Sequence, residues 1–286
     1  MTADVHLRDL RYFLAVVDAG SFTRAAATLF VSQPALSKQV RALETQLGVR
    51  LIDRRPGGLV LTAEGEALVP HARRLVADWA RASDEVRRAG SVPTLVVGMQ
   101  TTVGRDLTRR LLAATRERGH RMQVRLISWS DPSAGLADAT TDVAFVWLPL
   151  VAGDLEAHVL LREPRRVALP ADHRLAGRSS VDPAELADEP FVALPRSAGP
   201  LRDFWLGGIA RTIGAETDSA EGAIEAVASG SGVALIAEGN ARLLARPDVV
   251  CVPVPDLAPC ELALAWRRGD DREVVRTAVA ALTAGS

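Results

Sequence analysis

Apolar residues recur at helical spacing through the first ninety positions and at strand spacing afterwards. Leu7, Leu10, Leu14 and Val17, with Phe13 adjoining, mark a first amphipathic helix. The stretch Gly20 to Leu47 reads as two short helices joined by a tight turn. In the second, Leu36, Val40, Leu43 and Leu47 repeat at four, three and four, the spacing of one buried face. Ser32 is placed to cap that helix, and Pro34 is tolerated in the turn that follows. Leu51 to Thr62 predicts strand, turn, strand, with Pro56-Gly57-Gly58 at the tip. A long helix follows from Glu64 to Ala89, with Thr62 as its cap and Pro70 as its one proline. Leu68, Ala72, Leu75, Trp79, Ala82 and Val86 form a heptad seam along it, the pattern of a two-helix coiled coil. Such a helix is about 35–40 Å long. The alternative is a core helix of the following domain, but the seam is narrow and flanked by charge.

Past the hinge Ala89-Gly90-Ser91-Val92-Pro93 the pattern alternates. Strands are expected at Thr94–Gly98, Gln123–Ser128 and Val143–Trp147, with helices at Asp106–Gly119 and Leu136–Ala139. Val167–Pro170, Phe191–Leu194, Val233–Ala237 and Leu262–Trp266 continue the strand series. Strands alternating with helices predict an α/β fold with a parallel sheet. The Gly230-Ser231-Gly232 turn runs helix to strand and lacks a lysine, so it reads as a tight connection, not a phosphate loop.

The face of the Ser32–Leu47 helix opposite its apolar stripe carries the chemistry. Gln33, Ser37 and Arg41 succeed one another at i, i+4 steps, with Lys38 beside them. Such a helix fits a DNA major groove, with Gln33 and Ser37 at base edges and Lys38 and Arg41 near phosphates. Arg54 and Arg55, next to the hairpin tip, would make a wing that touches phosphate or the minor groove. A surface helical hairpin gives the same apolar pattern, so the reading leans on the helix before it and the hairpin after it.

A length of 286 residues predicts about two domains, and 48% hydrophobic content suffices for two cores. No stretch approaches the roughly 18–20 apolar residues of a membrane span, and the N-terminus lacks the pattern of a secretion signal, so a cytoplasmic protein that does not enter membranes is expected. Cys251 and Cys260 match neither a disulfide framework nor a metal site. Residues 1–92 hold 13 Lys+Arg against 10 Asp+Glu, a net of +3, and the remainder nets −4. The basic bias at one end agrees weakly with DNA binding. His6, His71, His120, His158 and His173 are scattered, with no nucleophile elbow or metal spacing near them. No catalytic residue, metal or cofactor is expected, and an enzyme is disfavoured. A solute-binding protein remains open for the second half, though not for the first.

These motifs together resemble the LysR-type transcriptional regulators. The resemblance rests on Tyr12-Phe13, Ser21-Phe22, Ala25-Ala26-Ala27, Ser32-Gln33-Pro34-Ala35-Leu36-Ser37 and Leu61-Thr62-Ala63-Glu64-Gly65. Ile52 stands where that family usually has phenylalanine, and Lys38 where arginine is commoner. In the second half Arg121-Met122 replaces a tyrosine-proline, and only Asp142 remains of a glycine-x-leucine-aspartate pattern. The resemblance implies an N-terminal winged helix-turn-helix over 1–62 with Ser32, Gln33, Pro34, Ser37, Lys38, Arg41, Arg54 and Arg55 at DNA. It implies a linker and dimerisation helix over 63–90, and an effector domain of two-lobed periplasmic-binding-protein architecture over 93–286. Lobe one would cover about 93–161 and 261–286, and lobe two about 166–254. Ligands of open α/β sheets bind beyond the carboxyl ends of the strands, which makes Gln100, Thr101, Thr102, Trp129, Trp147, Arg196 and Ser197 the pocket candidates. Thr101 and Thr102 precede a helix expected near Gly104, whose free N–H groups favour an anion, and the family's effectors are often carboxylates. The implied partners are double-stranded promoter DNA, a small-molecule effector, RNA polymerase and further copies of the chain, as a homodimer through the linker helix and a homotetramer.

Overall fold

The computed structural model describes residues 5–55, 58–88, 92–102, 106–150 and 153–284. The chain divides into two compact units, Met1–Ala89 with Ala137–Ala139, and Gly90–Leu136 with Thr140–Ser286.

In the first unit α1 (Leu7–Ala19), α2 (Phe22–Thr28) and α3 (Gln33–Leu47) precede a hairpin of β1 (Ile52–Arg55) and β2 (Gly58–Leu61), and α4 (Ala63–Arg88) closes the unit. Leu10, Phe13 and Leu14 of α1, Ala25 and Ala26 of α2, and Leu36, Val40 and Leu43 of α3 meet in one core with Leu51, Ile52 and Ala72. The left-handed residues Gly20 (φ 58°) and Gly48 (φ 71°) end α1 and α3, a conformation glycine adopts without a Cβ clash. The Ser32 hydroxyl accepts from the Ala35 N–H at 3.3 Å, as a capping residue should. Leu47, expected on the buried face of α3, is 37% exposed, because the helix runs on past its core.

Two contacts fix the hairpin. The Glu44 carboxylate accepts from the Leu51 and Ile52 N–H groups at 2.9 and 3.2 Å. Thr62 donates to the Arg50 carbonyl at 2.7 Å and accepts from the Gly65 N–H at 3.0 Å. At Gly65 a Cβ would sit 2.1 Å from the Leu51 carbonyl oxygen, so only glycine lets α4 approach so closely. Helix α4 does not present its heptad seam as one face. Leu68, Val69, Ala72 and Val76 pack on the core of their own unit, whereas Leu75 (54%), Trp79 (63%) and Val86 (76%) are exposed.

The second unit begins with β3 (Thr94–Met99), α5 (Leu107–Glu117), β4 (Arg121–Leu126), β5 (Val143–Trp147) and β6 (Leu155–Glu163). It continues through β7 (Arg165–Pro170), β8 (Phe191–Ala193), α6 (Pro200–Trp205), β9 (Ile213–Glu216), α7 (Ala220–Ala228), β10 (Ala234–Ala237), α8 (Glu238–Leu243) and β11 (Val249–Pro253). It ends with β12 (Cys260–Arg267) and α9 (Glu273–Thr283). One sheet has the order β4-β3-β5-β12-β6, a second β10-β7-β11, and β8 pairs with β9.

The five-stranded sheet is mixed and the three-stranded one antiparallel, contrary to the parallel sheet that the alternation predicts. β3 pairs in parallel with β4 and β5, but β12 runs antiparallel to β5 and β6, and β7 antiparallel to β10 and β11. β6 leads into β7, a strand of the other sheet, through Pro164 alone, and β12 returns to the first sheet only after the whole of the second, so these antiparallel pairs lie outside any consecutive strand-helix-strand unit. The helix expected at Leu136–Ala139 is a run of turns, with Ala134 (φ 51°), Gly135 (φ 85°) and Ala139 (φ 57°) left-handed. Asp142 holds that corner: its carboxylate accepts from the Val96 N–H and from Arg272, each at 2.7 Å. Arg272 also engages Asp270, and Arg267 donates to the carbonyls of Leu136 and Thr141. Gly232 (φ 154°) brings its strand against the Pro190 carbonyl, where a Cβ would stand 2.7 Å away, so the glycine turn is a close connection.

Candidate functional site

The first candidate surface is built on α3. Capping by Ser32 starts the helix, and its apolar stripe turns Leu36, Val40 and Leu43 inward. Pro34, Lys38 and Arg41 are thereby left exposed, and Gln33 is half-buried at the first turn. Ser37 is less open than expected: it is 8% exposed, and with Arg41, Phe22 and Arg50 it lines a groove between α3 and the hairpin. Ser37 keeps its place on the line from Gln33 to Arg41, as its i, i+4 spacing requires, and is covered because it lies at the wall of that groove. Arg54 and Arg55 lie on β1; their side chains, with Pro56 and Gly57, fall outside the described residues. The surface is therefore a capped helix whose outward side offers an amide, a proline and two cations.

The second candidate site lies in the second unit, beyond the carboxyl ends of β3, β5 and β10. A cavity of about 50 Å³ there is lined by Thr101, Trp129, Trp147, Trp205, Thr217 and Asn240, with leucine, alanine, valine and isoleucine completing its walls. Trp147 and Trp205 meet edge to face, their ring centres 5.8 Å apart. The Asn240 amide donates to the Thr101 hydroxyl at 3.1 Å, and both residues are 6% exposed. Trp129 is anchored by its backbone N–H, which donates to the Asp218 carbonyl at 2.8 Å; the Ser128 hydroxyl donates to the Asp218 carboxylate at 3.1 Å.

Of the seven residues expected here, Thr101, Trp129 and Trp147 line the cavity. Gln100 is buried but its amide donates to the Asp131 carbonyl at 2.6 Å, which makes it a strut of the loop. Thr102 is exposed, and Arg196 and Ser197 stand exposed on the 3₁₀ turn Arg196–Ala198, away from the cavity. The helix start expected near Gly104 lies outside the described residues, and α5 is described from Leu107. Asn240, Trp205 and Thr217 are the residues that strand-end reasoning left out. Asn240 was within its reach, since it follows the end of β10 by three positions; Trp205 carries no signal that separates a cavity wall from a core residue.

Neither cysteine is in a disulfide, and neither is exposed. Burial pushes the Cys251 thiol above its ordinary value against the opposing charge of Arg166, and Cys260 is buried with its sulfur 3.4 Å from the Glu163 carbonyl. No cluster that would hold a metal ion occurs among the described residues, and none of the described helices is long and apolar enough to cross a membrane.

Comparison with known proteins gives two family matches. Residues 7–66 match the bacterial regulatory helix-turn-helix protein, lysR family, and residues 88–286 match the LysR substrate binding domain. The chain is similar to the HTH-type transcriptional regulator ShiR of Corynebacterium glutamicum, 32% identical with 96% of this chain and 97% of that protein covered. It is likewise similar to the HTH-type transcriptional regulator YnfL of Escherichia coli, 32% identical with 92% of each covered. Among solved structures it shares its fold with CbnR, a LysR family transcriptional regulator, at a TM-score of 0.60 and 23% identity over 98% of this chain and 99% of that one.

Proposed function

The chain belongs to the LysR family of DNA-binding transcriptional regulators with a C-terminal effector-binding domain, and from that premise we propose how its parts divide the work. Members of this family bind promoter DNA and small-molecule effectors and act as oligomers. Residues 1–62 form the DNA-binding domain. Ser32 and Pro34 set the start of α3, Gln33 reads base edges, and Lys38 and Arg41 hold phosphates. Arg54 and Arg55 extend the phosphate contact along the hairpin. Ser37 has the lesser share, because its burial leaves little of it to meet a base.

Residues 63–90 join two copies through α4, and residues 93–286 hold the effector between a first lobe (93–161 and 261–286) and a second (166–254). The family's oligomers favour a pair of dimers that contact the promoter and RNA polymerase from the cytoplasm. Effector binding would change the balance between two assembly shapes, and does so only as far as its affinity for them differs. The observation that carries this reading is the outward strip of Gln33, Pro34, Lys38 and Arg41 on a capped helix whose other side is buried.

Fluorescence anisotropy against the DNA upstream of its own gene, with random DNA as competitor and salt varied, tests it. Gln33→Ala should lower discrimination by about 1–3 kcal/mol, while Lys38→Ala or Arg41→Ala should weaken all DNA and reduce the salt slope by roughly one. Equal loss on specific and random DNA for Gln33→Ala removes that residue from base reading.

A further inference from the structure

Between Asp18 and Glu44 the chain carries Arg24, Lys38 and Arg41 and no carboxylate. Helices α2 and α3 fill that stretch, and all three cations are exposed on them. The Glu44 carboxylate that ends it is taken by the Leu51 and Ile52 N–H groups. A surface of this composition suits a polyanion. One large apolar side chain stands in its midst. Phe30, in the turn from α2 to α3, is 95% exposed, while Leu29 and Val31 on either side of it pack against the core.

The Val31 N–H donates to the Ala26 carbonyl at 3.0 Å, and the Phe30 N–H to the Ala27 carbonyl at 3.2 Å. These are the two bonds of a Schellman ending, whose left-handed residue is usually glycine. Phe30 holds that place with a φ of 54°. A bulky residue in the left-handed region is an outlier, and such strain clusters where a site needs it. The ring gains no burial in exchange, since it lies in water. Backbone strain and an exposed ring are thus both unfavourable to the free protein, and nothing in its own fold offsets them.

Phe30 precedes the Ser32 cap by two residues and Gln33 by three, so the Phe30 and Gln33 Cα atoms are at most about 11 Å apart. The ring therefore belongs to the end of α3 that meets base edges. A duplex presents apolar carbon in that region, as thymine methyl groups in the major groove and as deoxyribose along its rims. We propose that Phe30 is a further DNA contact of this regulator, its ring laid against thymine methyl or deoxyribose carbon beside the bases that Gln33 reads. This rests on the placement of α3 at DNA and adds to it a contact that carries no charge. Covering about half of a phenylalanine side chain corresponds to about ten-fold in affinity.

Fluorescence anisotropy of the full chain tests the contact, on the DNA upstream of its gene and on random duplex, with salt varied. Phe30→Gly removes the ring and relieves the turn. Phe30→Asn removes it with another residue that accepts a left-handed backbone. Both should lose about ten-fold in DNA affinity at an unchanged salt slope, because no cation leaves the interface, and Phe30→Tyr, which keeps the ring, should stay within about two-fold of wild type. A urea midpoint for Phe30→Gly no lower than that of wild type separates the loss from unfolding. Uracil in place of thymine then distinguishes the two carbon sources. An effect present in wild type and absent in Phe30→Gly assigns the thymine methyl, and an effect alike in both assigns deoxyribose.

Wild-type affinity in either variant without the ring overturns the proposal. A loss in Phe30→Gly that comes with a shifted sedimentation profile overturns it too, because a second copy of the chain is then what covers the ring. Lys38→Ala distinguishes this failure from that of the underlying placement. If Lys38→Ala weakens DNA binding and Phe30→Gly does not, the ring contact alone falls; if neither does, the placement of α3 falls with it.

Discussion

Phe30 occupies the turn between α2 and α3 with a φ of 54°, and it is 95% exposed. A left-handed backbone costs a non-glycine residue about 1–2 kcal/mol, part of which glycine returns through its freer unfolded chain. Nothing packed is lost with an exposed ring, so Phe30→Gly should raise stability by about 0.5–1 kcal/mol, seen as a higher urea midpoint; a lower midpoint would mean that the ring contributes contacts its exposure does not suggest. Asp270 gives the opposite kind of sensitivity. Burial pushes its carboxyl up, but the hydrogen bond from Arg272 and the charges of Arg272 and Arg267 outweigh burial and hold it below the usual carboxylate range. A carboxylate depressed on folding stabilises above its unfolded pKa, near 3.9, and that contribution is lost as pH falls through the folded value. Asp270→Asn should therefore cost about 2 kcal/mol at pH 7 and flatten the decline of stability below about pH 4, measured by denaturant melts across pH. The size is held below that of a fully buried pair because Arg272 keeps Asp142.

Elements were legible where one periodicity met one environment. The stripe on α3, the Ser32 cap and the Thr62 start of α4 are local facts, and each is present in the fold. Three strands, β6, β9 and β11, are absent from the expected series, although β11 carries the β-branched run Val249, Val250 and Val252. β6 alternates Leu155, Ala157, Val159 and Leu161 with Glu156, His158 and Arg162, the period of a half-covered edge strand, whereas β9, four residues with a glycine, shows no period. The antiparallel return of β12 is equally unreadable, because direction is set by which strands lie beside it and not by its own sequence. Gly65 shows how a motif residue acquires its reason from an element pair. Its position places α4 on the loop before β1, and Gly65→Ala should cost about 2–3 kcal/mol by overpacking against the Leu51 carbonyl. A thermal melt with an unchanged midpoint would show that the backbone relaxes freely there.

For the whole molecule, the split of the α4 seam matters most. Its first half is used within its own unit, and Leu75, Trp79, Ala82 and Val86 remain exposed on a helix of 26 residues. Exposed apolar residues at heptad spacing suit a second copy of the same helix. Trp79→Glu should shift the sedimentation profile toward the monomer while leaving the far-ultraviolet dichroism intact, and an unshifted profile would remove α4 as the joining element. The amino-acid sequence by itself determined the winged helix-turn-helix, the long helix and the α/β character of the remainder, because spacing, caps and turns are properties of neighbouring residues. The tertiary structure alone decided three things. It covered Ser37, it divided the seam of α4 between core and surface, and it brought Trp205 and Thr217 to the cavity of Thr101, Trp129 and Trp147 while leaving Thr102, Arg196 and Ser197 outside it. Burial and convergence depend on what folds against a residue, and no local pattern contains that information.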